Sequence, residues 1–127
     1  MLPRKIQRYF KYARNVLSLS DHPHQQLGCV IVKGNKVLSI GYNKLKTHPI
    51  SCTPYQTIHA EMDAVIKAGR ECEGAVAYVY REHKDKNRSL ALARPCSACQ
   101  KVLYAAGIKR VYFTVNEPVL YEVMVFE

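Results

Sequence analysis

Two short segments far apart in this chain of 127 residues carry side chains that zinc prefers as ligands. His59 and Glu61 are two positions apart in the first segment, and Cys96 and Cys99 are three positions apart in the second. Zinc binds an imidazole nitrogen and two thiolates well, and three protein ligands leave a fourth tetrahedral position for water. Glu61 would stand beside that water as a proton carrier that does not bind the metal. Any fold that satisfies this pattern must bring the two segments together, so the pattern constrains the fold as well as the chemistry.

Other interpretations of the cysteines leave part of the pattern unexplained. A redox pair would use Cys96 and Cys99 but would give His59 and Glu61 no role. A structural zinc site normally has four protein ligands, and the three remaining cysteines of the chain form no second Cys-x-x-Cys pair. We therefore predict a catalytic zinc ion (Zn2+), and a purely structural or redox role for the two cysteines is the alternative.

Length and composition limit the class of protein. A chain of this size is large enough for one hydrophobic core, so we expect residues 1–127 to form a single domain. No apolar run has the length of a membrane span and no secretory signal is evident, so we expect no membrane partner. Five cysteines without a framework spacing favour a reducing, cytoplasmic location. The formal net charge of +9 favours an anionic partner, which could be a nucleotide phosphate or a nucleic-acid backbone, although a merely solvated basic surface fits as well.

Hydrophobic periodicity predicts eight elements in the order α-β-β-α-β-α-β-β. Apolar residues recur at helical spacing from Leu2 to Leu17, and a Gly34-Asn35 turn separates two runs rich in β-branched residues. The predicted helices cover residues 2–17, 58–69 and 95–107, and the predicted strands cover 29–33, 36–40, 75–80, 111–115 and 119–126. Residues 43–57 and 81–88 are expected to be loops.

This order predicts an α/β fold with a mixed five-stranded sheet and helices on both faces. The β-α-β steps require parallel crossovers, whereas the first and last strand pairs are joined by connections short enough for antiparallel hairpins. Both halves of the zinc pattern fall at helix starts. The partial positive charge at the start of a helix favours thiolates at Cys96 and Cys99.

With these residues in place, the chain resembles the cytidine deaminase superfamily, which includes cytidine, deoxycytidylate, tRNA adenosine and polynucleotide cytosine deaminases. The resemblance covers nearly the whole chain, from the 28–42 hairpin to the fourth strand. It implies a three-layer α-β-α cytidine-deaminase-like fold. The residues to which it assigns roles are His59, Cys96 and Cys99 as zinc ligands, Glu61 as the proton carrier, the Ala60 N–H as a donor to a ring carbonyl, and Asn43 as a contact of the sugar hydroxyl.

Features around the predicted site point to different branches of this family. Arg94 stands before the Pro-Cys step, where adenosine-acting members usually have Glu, so it argues against adenine and is a candidate substrate contact. The short final connection resembles that of the free cytidine deaminases. A histidine ligand at the position of His59, where the nucleoside enzymes usually have a cysteine, is instead typical of the nucleotide and polynucleotide branches.

We predict a zinc-dependent hydrolytic deaminase that converts cytosine to uracil in a (deoxy)cytidine nucleotide such as dCMP. The candidate phosphate contacts are Lys44, Lys46 and residues of the 81–94 loop, Arg81 in particular. The oligomeric state is left open, with a homo-oligomer among the alternatives.

Two alternatives accompany this prediction. One is a deaminase of single-stranded DNA or RNA, in which a basic groove follows the backbone and Tyr55 or Tyr112 stacks on a base. The other is a zinc-stabilised binding module that has no catalytic activity. Release of ammonia would separate an enzyme from such a module.

Overall fold

Five strands form one sheet in the part of the chain that the computed structural model describes, which is residues 2–21, 25–44, 58–84 and 87–126. The strands are β1 (Leu27–Lys33), β2 (Lys36–Tyr42), β3 (Val76–Arg81), β4 (Arg110–Thr114) and β5 (Tyr121–Val125). The helices are α1 (Arg4–Arg14), α2 (Ala60–Ala68) and α3 (Ser97–Ala105), with short 3-10 turns at Leu17–Leu19 and Gly69–Cys72. No helix among these residues is long and apolar enough to cross a membrane.

The sheet is mixed and its strand order is β2-β1-β3-β4-β5. β1 is antiparallel to both of its neighbours, β2 and β3, so β2 and β3 run in the same direction with β1 between them. β3 and β4 are parallel, and β4 and β5 are antiparallel. The prediction of parallel crossovers with a hairpin at each edge of the sheet is therefore confirmed.

Helix α1 covers one face of the sheet. Its buried side chains are Ile6, Tyr9, Phe10 and Ala13. They share a core cluster with Val30, Val32, Tyr78 and Tyr80 of β1 and β3. At Gly28 the helix approaches the strand so closely that a Cβ would collide with the carbonyl of Ala13. Glycine at this position thus lets the helix backbone rest directly on β1.

Helices α2 and α3 cover the other face, so the predicted three-layer arrangement is confirmed. Their core includes Ala60, Ala64 and Leu103 against Cys29 and Val79 of the sheet. A Cβ at Gly41 of β2 would collide with the Ala60 carbonyl and the Ala64 N–H. Gly41 therefore sets how near the start of α2 lies to the sheet.

Most boundaries differ from the sequence-based prediction by one to three residues, and three of these differences show local structure that the sequence did not indicate. Helix α3 begins at Ser97 after Cys96, which is its N-cap, so Pro95 precedes the helix and does not form its first turn. Strand β5 begins at Tyr121, because Leu120 has a φ of 77°, a left-handed conformation that a strand does not adopt. Helix α1 ends at Arg14, and a 3-10 turn carries the apolar stripe on to Leu17.

Candidate metal centre and catalytic cavity

Three potential zinc ligands converge where α2 and α3 begin. His59 is the N-cap of α2, Cys96 is the N-cap of α3, and Cys99 lies in the first turn of α3. His59 Nδ1 is 3.1 Å from Cys99 Sγ and 3.7 Å from Cys96 Sγ, and the three ligand atoms all lie within 4.8 Å of one another. Ligands bound tetrahedrally to one zinc ion are separated by about 3.3–3.8 Å. The three atoms are therefore close enough together to hold one zinc ion.

The chemistry of this donor set also fits a divalent cation. Burial raises the pKa of the Cys99 thiol well above its usual range, and the nearby charges of Glu61 and Cys96 raise it further. Two thiolates beside a buried carboxylate therefore require a compensating positive charge, which zinc provides when it binds. Within the described ranges, no other group of three histidine, cysteine or acidic side chains is arranged to hold a metal.

Packing between α2 and α3 holds the ligands in place. Cys99 is fully buried in a small cluster with Ile58 and Met62, which flank His59 in the sequence. Because Met62 and Cys99 belong to the first turns of the two helices, their contact brings both helix starts to the same point. The zinc ligands are thus positioned by the core.

Glu61 lies in the wall of the same cavity and is only 3% exposed. Burial raises the pKa of its carboxyl to about 7, although hydrogen bonds from its own backbone N–H and from Cys99 oppose the rise. A carboxyl with a pKa near neutrality can accept a proton in one step and return it in another.

The cavity at these residues has a volume of about 220 Å³. It brings together half of the residues predicted to contact the substrate: Asn43, Ala60, Arg81 and Arg94. Arg81 donates a hydrogen bond from Nη1 to the Leu92 carbonyl at 3.1 Å, and the Arg94 guanidinium lies 6.0 Å from the Phe113 ring centroid. Two guanidinium groups therefore stand in the wall that also carries the candidate zinc ligand His59.

Asn43 is tied into the cavity wall by its own side chain. Its Oδ1 accepts hydrogen bonds from Ser20 Oγ and from the Leu27 N–H, and its Nδ2 donates one to the Gln25 carbonyl at 2.8 Å. One of its two Nδ2 hydrogens is used in this way. The amide therefore shapes the wall, and no described residue accepts a hydrogen bond from its second Nδ2 hydrogen.

Several predicted contacts lie elsewhere or outside the described residues. Lys44 does not line the cavity, because its Nζ is 2.9 Å from Asp63 Oδ1 and lies over the Tyr42 ring. Tyr112 stacks on Tyr78 on the α1 face of the sheet, away from the zinc ligands. Lys46 and Tyr55 fall in 45–57, outside the described residues.

The cavity also includes residues that the sequence did not suggest. They are Gln25, Leu27, Leu92 and Ala93. Leu92 and Ala93 immediately precede Arg94 in the sequence, and this proximity was a weak indication that they line the cavity. Gln25 and Leu27 both form hydrogen bonds with the Asn43 side chain, and no motif marks them.

A smaller hollow of about 90 Å³ adjoins this cavity. Gln25 and Arg81 line both spaces. The smaller one adds the basic side chains of Lys84 and Arg88 and the ring of His83. Glu82 also lines this hollow, but cations outnumber acids there, and we call the stretch from Arg81 to Lys84 and Arg88 the basic path.

Comparison with known proteins agrees with this geometry. Residues 3–115 match the family model described as the cytidine and deoxycytidylate deaminase zinc-binding region. An uncharacterized deaminase in the luxG 3′ region of Aliivibrio fischeri is 30% identical over 121 aligned positions, which cover 88% of this chain and 74% of that protein. The riboflavin biosynthesis protein RibD of Escherichia coli is 33% identical over 105 positions, which cover 78% of this chain but only 23% of RibD.

A solved structure supports the same assignment. The crystal structure of dCMP deaminase from the cyanophage S-TIM5, in its apo form, matches with a TM-score of 0.66 and 25% identity, over 93% of this chain and 88% of that one. The prediction of a zinc-dependent enzyme with an α/β cytidine-deaminase-like fold is confirmed. The chain belongs to the cytidine and deoxycytidylate deaminase family.

Proposed function

We propose that the protein hydrolyses the exocyclic amine of cytosine in a (deoxy)cytidine nucleotide such as dCMP, which yields uracil and ammonia. The observation that carries this proposal is that one cavity combines the three potential zinc ligands and Glu61 with the side chains of Arg81 and Arg94. The first set suits hydrolysis at a ring carbon, and guanidinium groups suit a phosphate. Similarity to the cyanophage dCMP deaminase supports the same substrate class.

His59, Cys96 and Cys99 would hold the zinc, which supplies a water molecule activated as a nucleophile at neutral pH. Glu61 would take the two protons of that water in turn and pass one to the ring nitrogen and the other to the leaving amine, so that the oxygen stays on the ring carbon and the amine departs as ammonia. Its raised pKa suits it to carry protons in both directions.

Backbone and amide donors would orient the substrate. Ala60 is the first residue of α2, and the N–H groups of a first helical turn have no partner within the helix. The Ala60 N–H is therefore available to a ring carbonyl. Asn43 offers its second Nδ2 hydrogen to a sugar hydroxyl, and the Leu27 and Leu92 side chains exclude water beside the base.

The phosphate of the nucleotide would lie against Arg81. Its guanidinium is held by the Leu92 carbonyl, so less side-chain entropy is lost when it binds an anion. Arg88, farther along the basic path, is already engaged, since its Nη1 lies 3.2 Å from Glu82 Oε1. Arg81 is thus the better-placed cation for a single phosphate next to the zinc cavity.

Single-stranded DNA or RNA is the second candidate substrate. The basic path from Arg81 toward Lys84 and the net charge of +9 favour it, because a polynucleotide needs cations beyond the first phosphate. The two candidates differ in their response to salt. Polynucleotide binding weakens steeply as salt rises, whereas a single phosphate contact gives a shallow dependence.

Side-by-side assays of ammonia release test the proposal. The zinc-loaded protein is offered dCMP, cytidine and a single-stranded oligonucleotide that contains cytosine. The proposal requires dCMP to be the best substrate by kcat/KM. Conversion of the oligonucleotide alone would replace the proposal with the second candidate, and bound zinc without any ammonia would indicate the inactive binding module.

A further inference from the structure

A second cavity lies at the opposite end of the strands from the candidate zinc ligands. It has a volume of about 170 Å³ and is formed near the beginnings of α1, β3 and β4. Val76, the first residue of β3, lines this second cavity, whereas Arg81, the last residue of β3, lines the zinc cavity. These two residues are separated by about 17 Å along the strand. The two cavities are therefore separate sites.

All the charged side chains that line the second cavity are cationic. They are Lys5, Lys109 and Arg110. In the described ranges none of the three forms an ion pair with an acidic side chain. Like charges around one hollow repel one another, so a bound anion would lower the electrostatic energy of this region.

A buried hydroxyl also opens into this cavity. Tyr78 is 3% exposed, and its ring stacks on Tyr112 with the centroids 4.9 Å apart and 9° between the planes. No hydrogen bond from a described residue reaches the Tyr78 hydroxyl, whereas the fully buried polar side-chain atoms of the described chain all have partners. The hydroxyl oxygen therefore keeps some accessible surface, and it faces the cavity that Tyr78 lines.

The Tyr78 hydroxyl is protonated at neutral pH. Burial raises the pKa of Tyr78 to about 12, and the neighbouring Tyr112 and Tyr9 add to this rise, while Arg110 opposes it. A protonated hydroxyl can donate a hydrogen bond to an anion. Arg110 and Tyr78 both line this cavity.

The size and charge of the cavity select the ligand. The space of about 170 Å³ is large enough for a phosphate group, whose oxygens would lie among the cationic side chains that line it. Arginine and lysine both bind phosphate, and arginine does so with two parallel hydrogen bonds. We propose that Arg110, Lys109 and the Tyr78 hydroxyl bind a phosphate group in this cavity, with Lys5 at its rim.

The test follows backbone amide signals by NMR while inorganic phosphate is added at constant ionic strength. Gly34 and Gly74 line the second cavity, and Ala60 and Ala93 line the zinc cavity, so each site has its own reporters. The proposal requires saturable shifts at Gly34 and Gly74. Shifts at these amides that increase linearly with phosphate concentration without saturating, or that chloride also produces, would overturn the proposal.

Two variants and two matched controls identify the binding groups. Arg110→Gln and Tyr78→Phe should each weaken phosphate binding at Gly34 and Gly74 by about tenfold, since each removes a hydrogen bond to a charged ligand. Lys101→Gln also removes one positive charge and Tyr104→Phe also removes one phenolic hydroxyl, both at exposed positions of α3, and these variants should leave the affinity unchanged. Equal affinity in Arg110→Gln and the wild type would contradict the proposal, and the spectra themselves show whether each variant is folded.

A third set of titrations identifies the source of the phosphate. If a nucleoside triphosphate saturates the same amides at a lower concentration than inorganic phosphate, the site takes the phosphates of a free nucleotide. If inorganic phosphate saturates these amides at the same concentration as the nucleoside triphosphate, the site takes the free anion. Shifts at Gly34 and Gly74 with a single-stranded oligonucleotide, but with neither small ligand, would contradict the proposal in favour of a polynucleotide surface.

Discussion

Ser20 Oγ donates a hydrogen bond of 2.7 Å to Asn43 Oδ1, and both side chains are buried behind the zinc cavity. Ser20→Ala would leave Asn43 Oδ1 with the Leu27 N–H as its remaining donor in the described chain. We expect the free energy of unfolding to fall by about 1 kcal/mol, the usual contribution of such a bond. Urea unfolding of zinc-loaded protein measures this change. Ser18→Ala, at an exposed position two residues away, is the control and should stay within about 0.5 kcal/mol of the wild type. Equal losses in the two variants would refute the role given to Ser20.

A comparison of Gly41→Ala with Gly28→Ala distinguishes an effect on zinc affinity from a general loss of fold stability. Both substitutions introduce a Cβ that collides with helix backbone, Gly41 with α2 and Gly28 with α1. We expect each to destabilise the fold by about 1–3 kcal/mol, as overpacking does. Only Gly41→Ala displaces the helix that begins after His59, so only this variant should lose zinc affinity. Competition with a chelator measures the affinity, and equal affinity in the two variants would contradict this account.

The hydrogen bonds of Asp63 lead to a prediction about how the stability of the fold depends on pH. Burial raises the pKa of its carboxyl, but hydrogen bonds from Lys67, Lys44 and the Tyr42 N–H outweigh burial, and the net result is a lowered pKa. A lowered pKa in the folded state stabilises the protein above the unfolded-state value of about 3.9, and this stabilisation is lost as pH falls through the folded-state value.

Asp63→Asn should therefore be less stable than the wild type at neutral pH, by about 1–3 kcal/mol. The difference between the two proteins should shrink as pH is lowered below about 4. Urea unfolding of both proteins in metal-free form across this range measures the difference without a contribution from zinc. A difference that does not depend on pH would show that the charge of Asp63 is not what matters.

Arg81 is expected to act on the phosphate of the substrate and not on the base. Arg81→Gln should raise the KM for dCMP by about tenfold, because it removes a charge-assisted hydrogen bond. The KM for cytidine, which has no phosphate, should change little. Steady-state ammonia release with both substrates gives the comparison, and Arg70→Gln is a control at an exposed position after α2. A similar rise in KM for both substrates would assign Arg81 a structural role.

The zinc ligands could be predicted from the sequence because the chemistry of zinc restricts which residue types can hold it. The strand directions were predictable for a similar reason, since short connections and helical crossovers fix the direction of each strand. Lys44 shows where such reasoning fails. Its ammonium could have met a phosphate, but the fold places it 2.9 Å from Asp63 Oδ1, and nothing local to Lys44 indicates that contact. Gln25 was equally hidden, because its bond to Asn43 joins residues 18 positions apart and no local pattern indicates it.

Ammonia release from dCMP by zinc-loaded wild-type protein and by Glu61→Gln tests the central claim most directly. The substitution would keep the size of the side chain but remove its capacity to carry a proton, so zinc content should be unchanged while kcat falls by about 10²–10⁴-fold. The account predicts turnover in the wild type and this loss in the variant. Wild-type protein that holds one zinc per chain but releases no ammonia, or a variant that turns over at the wild-type rate, would contradict it.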